Sequence, residues 1–138
     1  MMTSVHLLKA GCPNPQPLRS EQYPAGLPSL HEEGKEIDVI KVEKANIPTD
    51  MCARISDWCI DKGVAFTIEN PTNLHIWGMP SMKKLSQHND VQQVNLHACM
   101  WGSKRKKLTS LLTNVRAISA MDVPCDNKHE HLPWGVQK

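Results

Sequence analysis

An acidic residue and an amide stand together at the end of a predicted strand. Val64–Ile68 is a short apolar run followed closely by Pro71, which is typical of a buried strand that ends at a turn. Ligands of open α/β sheets bind beyond the carboxyl ends of strands, where a carboxylate accepts hydrogen bonds and an amide both donates and accepts them. Glu69 and Asn70 are therefore candidates for binding a polar planar group. The alternative is that they only cap a helix starting near Thr72.

The carboxyl-terminal stretch carries residues that could bind a metal ion. Cys125, His129 and His131 supply one thiol and two imidazoles within seven positions of the chain. A fourth ligand could come from His97 or Cys99, and zinc accepts such a set. The spacing is not that of a common zinc finger, so a turn of hydrogen-bonded histidines is the alternative.

Cations are concentrated in one short run and are otherwise dispersed. The formal net charge is +2, so no overall field demands nucleic acid, but Lys104, Arg105, Lys106 and Lys107 are consecutive. Such a run could contact phosphates. Arg19 lies in a proline-rich phrase, where its planar guanidinium could bind a phosphate or carboxylate, or could simply be solvated.

The stretches before the first strand are predicted to form two helices. Residues 32–45 show apolar positions at helical spacing, and Pro48 is expected to end or kink this helix. A second helix, capped by Thr49 or Asp50, places Cys52, Ile55 and Cys59 on one stripe, which we interpret as core. The helix and the strand that follows it resemble half of a parallel crossover unit.

Two further strands are predicted after position 90. Residues 91–100 alternate between apolar and polar positions, and residues 108–115 form a third strand. The short basic loop between them predicts an antiparallel hairpin. Together with the parallel strand, this indicates an α/β fold with a mixed sheet and the hairpin at its edge.

Length and composition limit the remaining possibilities. The chain of 138 residues is long enough for one domain, and residues 1–30, rich in proline, are predicted to be an extended arm before a domain at 31–138. No segment has the apolar length of a membrane span, so we expect no membrane partner. Five cysteines without regular spacing indicate reduced thiols and an intracellular location, cytoplasmic or nuclear.

Several phrases, taken in order, resemble the carboxyl-terminal part of DNA-methyltransferase-like proteins related to the cytosine carbon-5 methyltransferases, in the divergent branch of phages and mobile elements. The match covers roughly positions 15–134. The matching phrases are Pro17-Leu18-Arg19-Ser20 with Gly26-Leu27-Pro28, Ala45-Asn46, Glu69-Asn70-Pro71-Thr72-Asn73 with Trp77, Gly102 through Lys106-Lys107 with Thr109 and Thr113-Asn114, and Cys125 with His129-Glu130-His131 and Trp134.

The resemblance implies a partial Rossmann-like methyltransferase fold and a role for each matching residue. Glu69 and Asn70 would contact the edge of an extruded cytosine at a strand end. The residues matching the family's nucleic-acid contacts would be Arg19, Lys104, Arg105, Lys106, Lys107, Thr109 and Asn114. Base chemistry requires the nucleotide out of its stack and cations for the backbone, which agrees with this arrangement.

The chain also departs from the family pattern. Lys106 stands where the family has arginine, and Leu108 where it has proline. The matching phrases include neither the glycine-rich segment that binds S-adenosylmethionine in the family nor the Pro-Cys phrase that supplies its nucleophile. Without them there is no carbon-5 methyl transfer. We therefore expect a truncated domain that is inactive alone, contacts DNA and uses a partner chain for the cofactor half. The alternatives are a nonenzymatic nucleic-acid-binding protein and a zinc-stabilised interaction domain.

Overall fold

A short 3-10 helix at Pro28–His31 precedes one long α-helix in the described part of the chain. The computed structural model describes residues 17–134, so residues 1–16 of the predicted arm lie outside the description. Helix α1 spans Glu36–Asp61 and contains Pro48, which corrects the prediction of two helices separated at this proline. Pro48 has no N–H group, so the carbonyl of Lys44, four positions earlier, loses its helical hydrogen bond. Both residues are exposed, and water can therefore solvate that carbonyl. Packing on both sides of the proline then keeps the helix continuous.

Helix α1 faces the protein with small residues and faces solvent with large ones. Its buried positions are Val42, Ala53, Ser56 and Cys59. Cys59 is in the core as predicted, but Cys52 and Ile55 are exposed, so the predicted stripe was wrong. The exposed apolar residues of α1 are Ile37, Ile40, Ile47, Met51, Ile55 and Trp58.

Within residues 17–134 the sheet has three strands, and their pairings are antiparallel. Strands β1 (Thr67–Pro71), β2 (Gln92–His97) and β3 (Leu108–Thr113) lie in the order β1-β3-β2. The α/β class and the β2–β3 hairpin are confirmed, whereas the predicted parallel pairing is wrong. Because β1 and β2 both run antiparallel to β3, they point the same way, and β3 occupies the place between them. Pro71 is tolerated in β1 because this strand is at the edge.

Each face of the sheet carries its own apolar cluster. Adjacent residues of a strand point to opposite faces, and Leu112 and Leu111 of β3 accordingly enter different clusters. Leu112 packs against α1 and against α2 (Pro80–Ser86), with Met82 and Leu85 fully buried there. Leu111 packs on the other face, which a short 3-10 helix at Arg116–Met121 covers. The result is a three-layer arrangement with the sheet in the middle.

The connection between β2 and β3 positions the candidate site. Strand β2 ends at His97, earlier than predicted, and the chain forms a 3-10 helix at Ala98–Trp101. Gly102, with φ of +91°, ends that helix in a left-handed conformation that glycine adopts easily. The loop is closed by a hydrogen bond of 2.8 Å from Ala98 N to Lys107 O. We call residues 98–107 the hairpin loop. No helix within residues 17–134 is long and apolar enough to cross a membrane.

Candidate metal centre and basic loop

Four side chains from two separate parts of the chain bring their ligand atoms together. Cys99 comes from the hairpin loop, and Cys125, His129 and His131 come from the segment after the last 3-10 helix. All four ligand atoms lie within 4.8 Å of one another. The Cys125 Sγ atom is 3.4 Å from His131 Nε2 and 3.9 Å from His129 Nε2. The cluster could therefore hold a metal ion such as zinc, and Cys99 is the fourth ligand that the sequence left open.

These separations suit a tetrahedral zinc ion. Zn–S bonds of about 2.3 Å and Zn–N bonds of about 2.0 Å place tetrahedral ligand atoms roughly 3.3–3.8 Å apart. The two sulfur–nitrogen distances above fall at or close to this range, so small side-chain rotations would suffice. Two thiolates and two imidazoles form a closed set of four, which is typical of structural zinc sites.

The residues around the cluster orient its ligands. Asp126 Oδ1 lies 3.3 Å from His129 Nδ1, which leaves Nε2 of that ring directed at the cluster. The backbone N–H of Asn127 donates to Cys125 Sγ over 3.4 Å, and such donors stabilise a thiolate. Asn127 has a positive φ of 57°, a conformation that asparagine tolerates better than most residues. This second layer is of the kind that tunes metal sites.

Two of the four possible ligands, Cys99 and His131, have pKa values that are shifted in opposite directions. Burial raises the pKa of the Cys99 thiol, and the hydrogen bond and charge of Cys125 raise it further. A bound cation would counteract both effects by stabilising thiolates. Desolvation lowers the pKa of His131, and the charges of His129 and Lys106 act in the same direction. The lowered pKa favours the neutral imidazole, which is the form that binds metals.

The predicted basic run lies directly beside this cluster. Lys106 Nζ donates to Asn127 Oδ1 over 2.7 Å, and the backbone N–H of Leu132 donates to Lys104 O over 2.8 Å. The guanidinium of Arg105 stacks over the ring of Trp134 at 5.3 Å. The hairpin loop and the residues 125–134, which we call the tail, are thus joined by several contacts in addition to the ligand cluster.

Glu69 also lies against the basic run. Its Oε1 atom accepts a hydrogen bond of 3.0 Å from Lys107 Nζ, and the Glu69 side chain remains 51% exposed. The carboxylate, the four cations and the metal ligands therefore share one side of the molecule. Such a half-exposed pair contributes little to stability, on the order of 0–1 kcal/mol. The Glu69 carboxylate keeps further acceptor positions open to solvent.

Asn70 does not join Glu69 in one site. The structure places both residues inside β1, where Glu69 pairs with Leu111 and Asn70 with Ser110. Because successive side chains of a strand point to opposite faces, the two side chains diverge. This corrects the prediction that they stand beyond the strand end as a pair. The strand also starts later than predicted, at Thr67. In the segment before it, the N–H of Phe66 donates to Asn114 Oδ1, and Asn114 Nδ2 donates to the carbonyl of Val64.

Three other predicted contact residues lie away from the basic loop surface or inside the protein. The Arg19 guanidinium, half-buried and with a pKa lowered by desolvation, donates to the carbonyls of Pro24 and Val42. Thr109 is buried in β3. Asn114 is occupied by the backbone that leads into β1. None of these three side chains therefore belongs to the exposed surface around the basic run.

Some residues around the metal ligands could not be identified from the sequence. Asp126 and Asn127 support the ligands, but such supporting groups have no fixed spacing. His97 was the other candidate for fourth ligand; it is not among the converging atoms, and its Nδ1 is buried without a hydrogen-bond partner within the described chain. The alternation of side chains along a strand could not predict which of His97 and Cys99 is the fourth ligand, because the strand ends between these two residues.

Comparisons with known proteins add no relative. No family model matches the chain, and neither a curated protein nor a solved structure matches it.

Proposed function

We propose that this chain is a nucleic-acid-binding module, similar to the base-contacting part of DNA-methyltransferase-like proteins, and that a structural zinc ion stabilises its binding surface. The observation that carries the proposal is the convergence of Cys99, Cys125, His129 and His131 next to the basic loop. A closed four-ligand site binds zinc for structure and leaves no position for a substrate. Zinc would fix the tail against the hairpin loop.

The chemistry of the surface favours a nucleic acid over other ligands. Lys104 and Lys106 are exposed cations on a short, constrained loop, and such cations neutralise phosphates. Glu69 lies at the base of the same loop and can accept hydrogen bonds from exocyclic amines of bases. In this function the lysines supply affinity and Glu69 supplies base preference.

Methyl transfer is proposed only as an activity of an assembly. Pro124-Cys125 is the only Pro-Cys dipeptide of the sequence, and its cysteine belongs to the cluster of metal ligands; the sequence has no glycine-rich turn for S-adenosylmethionine. A partner chain would have to supply both the nucleophile and the cofactor-binding turn. The outer edge of β1 has no paired strand within residues 17–134, so further strands of a larger, Rossmann-like sheet could join there.

Charge reversal tests the proposal directly. The full chain, the variant carrying Lys104→Glu and Lys106→Glu, and a control carrying Lys83→Glu and Lys84→Glu on the exposed face of α2 would be titrated with labelled DNA at several salt concentrations. The loop variant should bind far more weakly and with a shallower salt dependence, by about 0.9 in log–log slope for each lost duplex phosphate contact. Equal binding by all three proteins would refute the proposal.

Glu69→Gln separates base reading from simple charge attraction. This change should alter preference among cytosine-, adenine- and thymine-rich strands while leaving the salt slope intact, because a phosphate contact is not lost. Loss of binding on charge reversal together with indifference to Glu69→Gln would assign the surface to a nonenzymatic, sequence-independent binder instead.

A further inference from the structure

Two tryptophan rings are exposed on the surface formed by the hairpin loop and the tail. Trp101 is 50% exposed at the end of the 3-10 helix in the hairpin loop, and Trp134 is 66% exposed in the tail. Large aromatic side chains usually enter a core or an interface because they bury much apolar area. Exposure of both rings beside a basic run indicates a binding role.

The backbone of this region holds both rings close to the cations. The bonds from Ala98 N to Lys107 O and from Ser103 N to Ala98 O fold the loop so that Trp101 belongs to the same short turn as Lys104. Trp134 is brought to the loop from the other direction by the Leu132–Lys104 backbone bond. Its ring lies over the Arg105 guanidinium at 5.3 Å, which leaves the ring's remaining surface to solvent.

We propose that Trp101 and Trp134 are stacking platforms for unpaired bases, and that the ligand of this surface is single-stranded nucleic acid. Exposed aromatic rings interleaved with cations are how proteins hold single strands: bases stack on the rings, and the cations contact the backbone. A continuous duplex hides the faces of its bases, so it would use the lysines but not the rings. This inference rests on the proposed function and narrows its substrate class.

The zinc centre would act on the two rings unequally. Cys99 and His131 are proposed ligands two positions before Trp101 and three positions before Trp134, so metal binding restrains the chain that carries each ring. Trp101 lies in a loop that is also closed by its own backbone hydrogen bonds. Loss of metal should therefore weaken stacking at Trp134 more than at Trp101.

The experiment measures affinity of the full chain for a fluorescently labelled single strand of about twelve thymidines and for a duplex of equal length. Trp101→Ala and Trp134→Ala should each lower single-strand affinity roughly tenfold, with an unchanged salt slope and little change for the duplex. Trp101→Phe and Trp134→Phe should restore most of the affinity because an aromatic face is kept. Trp58→Ala, at an exposed site on α1, is the matched control and should change nothing.

The outcomes distinguish this inference from the proposed function. If the alanine variants bind the single strand as the parent chain does, while reversal of Lys104 and Lys106 abolishes binding, the surface binds nucleic acid but the stacking inference is wrong. Equal losses for single strand and duplex also overturn it, since they indicate a general disturbance. If the parent chain binds neither ligand, the proposed function itself fails.

Discussion

Replacement of one proposed zinc ligand gives a prediction whose size can be worked out. Zinc present at about 100 times its dissociation constant stabilises the folded chain by about 2.7 kcal/mol. For a chain of 138 residues, each kcal/mol moves Tm by about 4 °C, so zinc should raise Tm by about 11 °C. This value is an upper limit, because Cys125, His129 and His131 are close in sequence and retain some affinity for zinc when unfolded.

The assay is thermal unfolding with zinc and with a chelator. Cys125→Ser should remove most of the zinc-dependent shift, because it deletes a thiolate at the centre of the ligand set. Cys52→Ser is the matched control: this thiol is exposed on α1 and is not one of the converging ligands. A zinc-dependent shift as large in Cys125→Ser as in the parent chain would refute the assignment of the ligands.

Three further predictions concern pH, packing and catalysis. The pKa of His131 is lower in the folded protein, so in the presence of a chelator the unfolded chain binds the proton more readily than the folded chain. The free energy of unfolding, measured with urea, should therefore be fully retained above about pH 6.5 and should fall as the pH drops below that value. His131→Ala should flatten this pH dependence. Leu112→Ala should lower the free energy of unfolding by about 2–5 kcal/mol because Leu112 is 1% exposed, whereas Ile55→Ala at a site 54% exposed should change it by less than about 0.5 kcal/mol in the same assay. The chain alone should transfer no radiolabelled methyl group from S-adenosylmethionine to DNA, and turnover above the background of boiled protein would contradict the account.

The local patterns were predictable where one principle dominated. Alternation along β2 placed Val94 and Leu96 on one face, and the short loop made β2 and β3 an antiparallel hairpin. Cys125, His129 and His131 could be proposed together from the sequence because they are residue types that bind zinc and lie within seven positions of the chain. These features depend on residues that are near one another in sequence.

The wrong predictions concern contacts between elements that are distant in sequence. The residues of β1 do not indicate that β3 will pair with it, so a parallel pairing of β1 could not be excluded from the sequence. Helix α1 turned small residues such as Ala53 and Ser56 inward and left Ile55 outside, because the elements that cover a helix decide which of its faces is buried. Glu69 and Asn70 were separated because β1 continues through both of them to Pro71, and adjacent side chains of a strand point to opposite faces.

X-ray absorption at the zinc edge tests the central claim most directly. Purified full-length chain should bind one zinc ion with two sulfur ligands at about 2.3 Å and two nitrogen ligands at about 2.0–2.1 Å, and Cys99→Ser should reduce the sulfur count to one. A zinc shell made only of oxygen and nitrogen, or an unchanged sulfur count in Cys99→Ser, would contradict the joining of the hairpin loop and the tail through a common metal ion.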